Sequence, residues 1–366
     1  MYNPLSNYQP LNKVLISKSA LIHNFNYLKQ ISNSLVFPNL KSNAYGHGIV
    51  ETAKIIDELN CRYIVVDSIY EASILKKNKV KTPILITGYV DPENLKFIRH
   101  SFTYAVWEQD QIERILKIKP NAKLHLFIDS GMGREGVRFT DLVNIENTII
   151  KYKSNFEGIM SHFASADDLS SSQTEEQIYF FKKSIDYFAS VGVNFEYIHI
   201  SASAGILSTE IEFCNACRTG ISLYGIDPLN SSTDLKPALT LTTKLAQIKS
   251  INKGSPVGYN ATYTAKQDKK IGILPIGYND GVDRALSNKG YVKLNNNFCK
   301  IIGKVSMNIT TIDLTNIDAN LNDAVTIYSN NISDKNSIEN ASSICDKISY
   351  ELLVHINSSI KRYVTD

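Results

Sequence analysis

The sequence predicts an α/β protein in two parts, a (β/α)₈ TIM-like barrel followed by a mainly β C-terminal domain. Three observations predict it. Between residues 35 and about 225, eight short apolar runs alternate with longer segments of helical spacing. Past residue 235 the helical segments thin out, and β-rich runs follow one another across polar turns. The glycine fingerprint of a dinucleotide-binding fold is missing after the first run, which weighs against an open doubly wound sheet, the alternative for the same alternation. Strands that alternate with helices pair in parallel through right-handed crossovers, and eight strands suffice to close a barrel.

The eight runs occupy residues 35–41, 62–66, 83–88, 103–107, 123–129, 156–162, 196–200 and 216–218. A helix is predicted to begin at Ile49, and another covers residues 174–188, where aromatic residues recur at helical spacing. In the second part, residues 239–251 read as one long β-rich run, followed by 271–276, 290–294, 298–305 and 324–328. A polar loop from Ser329 feeds a last helical region. The early run Lys13–Ser17 is surplus to the barrel and is assigned to the second sheet. The predicted domains are therefore 18–235 for the barrel and 236–366, with the N-terminal strand 1–17, for the β domain.

Composition narrows the function. The chain has 366 residues, 43% hydrophobic and 20% charged, and 39 basic against 36 acidic residues give a net charge of +3. That balance offers no electrostatic footprint for nucleic acid or an anionic membrane. No apolar run is long enough to span a bilayer, and the start lacks a basic segment followed by an apolar core, so a cytoplasmic location is expected. Five cysteines form no disulfide framework. Cys214 and Cys217 make a lone Cys-x-x-Cys, read as small buried or loop cysteines rather than a metal or redox pair; no metal is expected.

Chemistry gathers where the runs end, which in a (β/α)₈ barrel is the reactive face. The first run delivers Lys41, followed by Ser42-Asn43-Ala44-Tyr45-Gly46-His47-Gly48. The run at 123–129 ends in Asp129-Ser130-Gly131-Met132-Gly133-Arg134, that at 156–162 in Ser161-His162, and that at 196–200 leads to Ser201-Ala202-Ser203. The last ends in Arg218-Thr219-Gly220-Ile221. An amine, two guanidinium groups, an imidazole, a hydroxyl and a Gly-flanked loop with free N–H groups suit a phosphorylated, ring-bearing carbonyl cofactor. Taken singly, each has a plainer reading: a solvated lysine, a hydrogen-bonded rim histidine, a βα turn, a structural ion pair. Their common position at strand ends favours the chemical reading.

With these residues in hand, the chain resembles the alanine racemases, pyridoxal-phosphate enzymes with a barrel and a C-terminal β domain, over nearly its whole length. Besides the motifs above, the resemblance rests on Gly225 closing the Arg218 motif, Gly258-Tyr259-Asn260-Ala261-Thr262-Tyr263, Pro275-Ile276-Gly277-Tyr278-Asn279-Asp280-Gly281 and Gly303-Lys304-Val305-Ser306-Met307. It implies an isomerase that interconverts L- and D-alanine by a two-base mechanism, supplying D-alanine for peptidoglycan. Lys41 would bind pyridoxal 5′-phosphate as a Schiff base and serve one face of the substrate; Tyr259, from the partner subunit of a homodimer, would serve the other. Tyrosine is a weak base near neutral pH, and His162 with Arg218 would support it. Arg218 would face the pyridine nitrogen. Tyr45, Ser203, Gly220, Ile221 and Ser358 would cradle the phosphate. Arg134 and Met307 would bind the substrate carboxylate, and Tyr278 would line the entrance.

Four positions depart from the family's pattern. Phe127 stands where a carbamylated lysine often braces the equivalent of Arg134, so another anion, such as chloride, or packing is expected to hold that arginine. Ala202 replaces an asparagine, and Asn308 replaces an aspartate beside Met307. Ser358 replaces a tyrosine that touches the phosphate and limits the pocket, so looser selectivity is expected, with serine racemised beside alanine. The alternatives are a broad-specificity or serine-preferring racemase of the same fold, a related barrel decarboxylase, and a non-catalytic pyridoxal-phosphate-binding protein. The decarboxylases pair the ring nitrogen with a carboxylate, which Arg218 disfavours. The non-catalytic proteins lack the second domain and its tyrosine.

Overall fold

The computed structural model describes residues 8–231 and 233–366. It divides into two compact units: Leu21–Ala44 with Thr52–Leu235, and Tyr45–Glu51 with Lys236–Asp366 and the described part of Met1–Ala20.

The first unit is a parallel barrel ringed by helices. Its strands are Leu35–Pro38, Ile64–Val66, Ile84–Ile86, Thr103–Val106, Lys123–Asp129, Phe156–Met160, Tyr197–His199 and Ala216–Thr219. Six of them pair in parallel in chain order, from Ile64–Val66 to Tyr197–His199. The first and last pair with each other, Ala216 opposite Leu35 and Thr219 opposite Pro38. Closure is completed by the Asn39–Val65 bridge on one side. On the other, the N–H groups of Asn215 and Arg218 donate to Ile198 O at 3.1 Å and Ser201 O at 2.9 Å. Successive strand residues face opposite sides. Leu124, Leu126 and Ile128 are wholly buried on one side of their strand. Phe127 turns the other way and packs on Ala105 and Met160. A second interior cluster joins Phe37, Tyr63, Val65, Leu85, Tyr197 and Ala216. His125, His199 and Glu157 are buried among these apolar groups.

The second unit is built on two antiparallel-rich sheets. One has six strands, ordered Asn297–Lys300, Tyr291–Leu294, Ala324–Tyr328, Leu239–Lys244, Lys13–Ser17 and Lys361–Thr365. Lys13–Ser17 runs antiparallel to Leu239–Lys244 and parallel to Lys361–Thr365. The other sheet holds Gln247–Ile251, Lys269–Leu274 and Thr310–Asp313. The single run expected at 239–251 is thus two strands in two sheets. The chain changes partner at Leu245, whose N–H bonds to Asp323 O, and Ala246, whose N–H bonds to Ile273 O. The run expected at 298–305 is a strand only at Asn297–Lys300. Beyond it Ile301 takes the Gly290 carbonyl and Gly303 turns at φ 72°.

Candidate active site

The first strand ends and the backbone reverses its hand. Lys41 opens a left-handed turn in which Ser42, Asn43, Ala44 and Tyr45 all have φ between 50° and 56°. L-residues there cost about 1–2 kcal/mol each. The turn is held by Ala44 N–H to Leu40 O at 2.8 Å and Ser42 N–H to a Glu71 carboxylate oxygen at 2.6 Å. Lys41 N–H bonds to Asn39 Oδ1 at 3.2 Å. Strain of this kind gathers at functional sites, where the surrounding structure enforces it.

Arg218 lies near the end of the strand Ala216–Thr219 and is 5% exposed. Nη1 donates to His199 Nδ1 at 2.6 Å and His199 O at 3.1 Å. Nη2 donates to Ser161 O at 2.5 Å, Ile200 O at 3.2 Å and His162 Nδ1 at 3.1 Å. Carbonyls and imidazoles hold this cation, and no carboxylate is among these partners. Because arginine only donates, His162 Nδ1 is an acceptor and the neutral ring carries its proton on Nε2. Burial, then the charges of Arg218, Arg134 and Lys41, push His162 down to about 3. Gln177 braces the same loop, donating to His162 O at 2.8 Å and accepting from Ala164 N–H at 2.9 Å.

The phosphate-binding candidates Ser203 and Gly220 meet directly: Ser203 Oγ accepts the N–H groups of Gly220 at 3.2 Å and Ser222 at 3.1 Å. Ile221 lies between them and opens the short helix Ile221–Tyr224. Ala202 sits just before the helix Ser203–Ser208 and offers no side-chain cap.

The Gly-flanked loop needs a correction. Its N–H groups are not free: those of Gly131, Met132 and Gly133 all point to Asp129 Oδ1, at 3.1, 2.9 and 3.0 Å. A strand-end aspartate folds back on its own turn. Phe127 fills the barrel beside Ala105 and Met160, its ring edge-on to Trp107 at 6.1 Å. Arg134 finds its carboxylate next door, in a two-pronged pair with Glu135 that includes Nη2 to Oε1 at 2.8 Å.

The second unit gathers the remaining candidates. Tyr259, Tyr278, Lys304, Met307 and His355 line an open cavity of about 920 Å³. Tyr259 is 68%, Met307 57% and Tyr278 43% exposed in the isolated chain. Tyr278 N–H bonds to Ser306 O at 3.0 Å and Asn279 N–H to Met307 O at 2.9 Å, which clamps the two loops together. Gly277 permits that approach, since a Cβ there would lie 2.2 Å from Ser306 O. Asn308 Nδ2 donates to Asp280 Oδ2 at 3.2 Å. An aspartate at 308 would set two carboxylates against each other in this geometry.

Tyr45 is 7% exposed, its ring centroid 6.0 Å from that of Tyr350. The turn after it is fixed by Arg362, whose Nε and Nη2 donate to Gly46 O at 3.2 and 2.9 Å. The same guanidinium binds Asn357 O at 2.7 Å and Ile356 O at 3.2 Å, in the loop that carries the exposed Ser358. Asn357 Nδ2 reaches Asn279 O at 2.9 Å, so the Ser358 loop is also tied to the Tyr278 loop.

Sequence reasoning passed over Arg362, Glu135, His125, His199 and Glu157. The last three had a signal: His125 lies between Leu124 and Leu126, His199 between Ile198 and Ile200, and Glu157 directly after Phe156, each a polar residue within an apolar stretch.

Residues 16–228 match the family model "Alanine racemase, N-terminal domain" and residues 238–364 match "Alanine racemase, C-terminal domain". An alanine racemase of Staphylococcus carnosus is 33% identical over 364 residues, covering 95% of this chain and 93% of its own. One of Borreliella burgdorferi is 33% identical over 368 residues, covering 96% and 97%. Among solved structures, the alanine racemase of Bacillus anthracis with bound L-Ala-P superposes with TM-score 0.90 at 28% identity, covering 99% of this chain and 96% of that one. The Clostridium difficile 630 enzyme gives 0.90 at 27% identity, covering 98% and 97%.

Proposed function

Because the chain belongs to the alanine racemase family, we propose that it interconverts L- and D-alanine with pyridoxal 5′-phosphate and Lys41 and Tyr259 as the two bases. The observation that carries this reading is the setting of Arg218. A buried guanidinium beside a neutral His162, with no carboxylate among its partners, suits a ring nitrogen left unprotonated.

The donor set fits the cofactor. Lys41 supplies an amine for its aldehyde, and Arg218 with His162 a face for its ring. Ser203, Gly220 and Ile221, with Tyr45 and Ser358, supply the hydroxyl and N–H donors a phosphate requires. When bound, the cofactor supplies an electron-withdrawing ring that acidifies the substrate's α-proton. The protein does the rest. Arg134 and the Met307 backbone orient the substrate carboxylate, and Tyr278 lines the entrance. Lys41 Nζ takes or returns a proton on one face, and Tyr259 Oη does so on the other, so the hand is inverted. His162 presents an N–H to that region rather than a base.

The exposure of Tyr259, Tyr278 and Met307 supports a homodimer in which a second copy covers this surface and contributes Tyr259. D-Alanine formed in this way would enter peptidoglycan. A second reading, broader selectivity that includes serine, is favoured by Ser358, a small residue on an exposed turn. The test is incubation of the purified protein with pyridoxal phosphate and L-alanine in deuterated water. Loss of optical activity with one deuterium at the α-carbon is expected; exchange with full retention of hand would overturn the two-base assignment.

A further inference from the structure

Arg218 marks one end of a polar chain that runs through the barrel interior. Its Nη1 donates to His199 Nδ1 at 2.6 Å, and His199 Nε2 lies 2.7 Å from His125 Nδ1. His125 Nε2, buried and without a hydrogen-bond partner among the described residues, lies 3.7 Å from Glu157 Oε1. Glu157 Oε1 also accepts the Tyr63 hydroxyl, and Thr103 Oγ1 stands 3.1 Å from that hydroxyl. Arg62, 41% exposed, lies 3.5 Å from Glu157 Oε2.

Chemistry fixes the direction of every proton. Arginine has no lone pair to offer, so His199 Nδ1 must accept. A neutral His199 then carries its proton on Nε2 and donates to His125 Nδ1. His125 in turn carries its proton on Nε2, aimed at Glu157. Both rings are neutral, because burial and then the Arg218 charge hold them far below the usual imidazole range. The space is also shaped for the chain. A Cβ at position 158 would come within 2.4 Å of His125 Nδ1, so Gly158 is what lets this ring lie flat across its neighbouring strand. His125 stacks on Tyr197 at 6.0 Å and meets Tyr63 edge-on at 5.6 Å.

We propose that His199, His125 and Glu157 form a tautomer-ordered relay that brings the Glu157 carboxylate's influence to Arg218, with Tyr63 as its anchor. Among the described residues no carboxylate hydrogen-bonds to Arg218, and this relay supplies one at a distance. The aligned ring dipoles stabilise the guanidinium without a carboxylate beside it. Glu157 and Tyr63 are thus positioning residues for whatever group Arg218 faces. Their link to catalysis rests on the proposal that this group is the cofactor ring; the relay itself does not.

The experiment is nitrogen NMR of holoenzyme labelled at its seven histidines, with His125→Gln and His199→Gln used for assignment. Both rings are expected to be protonated at Nε2 and bare at Nδ1 at neutral pH. Glu157→Gln, which keeps the shape and removes the charge, should shift the His125 signals strongly and the His199 signals in the same direction by less. It should also move the visible absorption maximum of the bound cofactor. A proton on Nδ1 of either ring, or a doubly protonated ring, overturns the relay, and this readout needs no variant at position 157. So does a His199 signal that ignores Glu157→Gln. Tyr63→Phe gives a second test, with smaller shifts of the same sign expected and none counting against the anchor. Histidine shifts with an unmoved absorption maximum would uphold the relay but detach Arg218 from the ring, overturning the proposed site instead.

Discussion

Acid should unfold this protein through its buried histidines, and His125 gives the clearest case. It is wholly buried, and burial first, then the charges of Arg218 and Arg62, push it from 6.5 down to about 3. The unfolded chain therefore takes up this proton before the folded one does. The sign follows: stability is fully present above the unfolded value and is lost as pH falls toward the folded value. Between about pH 7 and about pH 4.5 the loss assignable to His125 is about 2.5 kcal/mol. His199, also wholly buried and depressed, adds a loss of the same sign. Glu157, whose pKa burial raises, works the other way. His125→Gln removes the linkage while keeping an amide in the cavity. Urea unfolding at fixed protein concentration, run at both pH values on both proteins, isolates the effect. The variant starts less stable but should lose about 2.5 kcal/mol less than the parent over this interval. Equal losses in the two proteins would refute the reasoning, because His125 would then titrate alike folded and unfolded.

Two further outcomes follow from the site's departures from its family. Glu135→Leu strips Arg134 of its carboxylate partner; for an exposed pair worth roughly 0.2–1 kcal/mol, KM for alanine should rise about twofold to fivefold with kcat less affected. An unchanged KM would mean that Glu135 does not orient Arg134. Ser358→Tyr should lower kcat/KM for L-serine about tenfold relative to L-alanine if Ser358 leaves the extra space; an unchanged ratio in a chiral assay of both substrates would show that selectivity lies elsewhere.

Much of the fold was legible because it rests on local pattern. Seven of the eight barrel strands lie within one of the short apolar runs, and the last, Ala216–Thr219, extends one residue past its run. The motif around Lys41 is local as well, since an amine at a strand end followed by Tyr45, Gly46 and Gly48 involves only a few neighbouring residues. The misreadings have a different character. Residues 239–251 look like one β run because Leu, Ile and Thr recur along it with no Gly or Pro to break it; only the partners, Asp323 and Ile273, reveal where one sheet ends and the next begins. The N–H groups after Asp129 looked available because sequence does not show which way a carboxylate folds.

Sequence by itself determined the family and the barrel followed by a β domain, and it named the candidate site residues, since all of these lie in strand periodicity and short motifs. Tertiary structure alone decided what those groups are bonded to. Glu135 beside Arg134, Asn308 against Asp280, Arg362 across the Gly46 turn and the chain from Arg218 to Glu157 are choices of partner. In the chain from Arg218 to Glu157 the members are separated by 19, 74 and 32 positions in sequence. No local pattern encodes such a contact. It exists because closing the barrel brings one polar side chain from each of several strands into a common interior, where a buried donor must find an acceptor or carry the cost of having none.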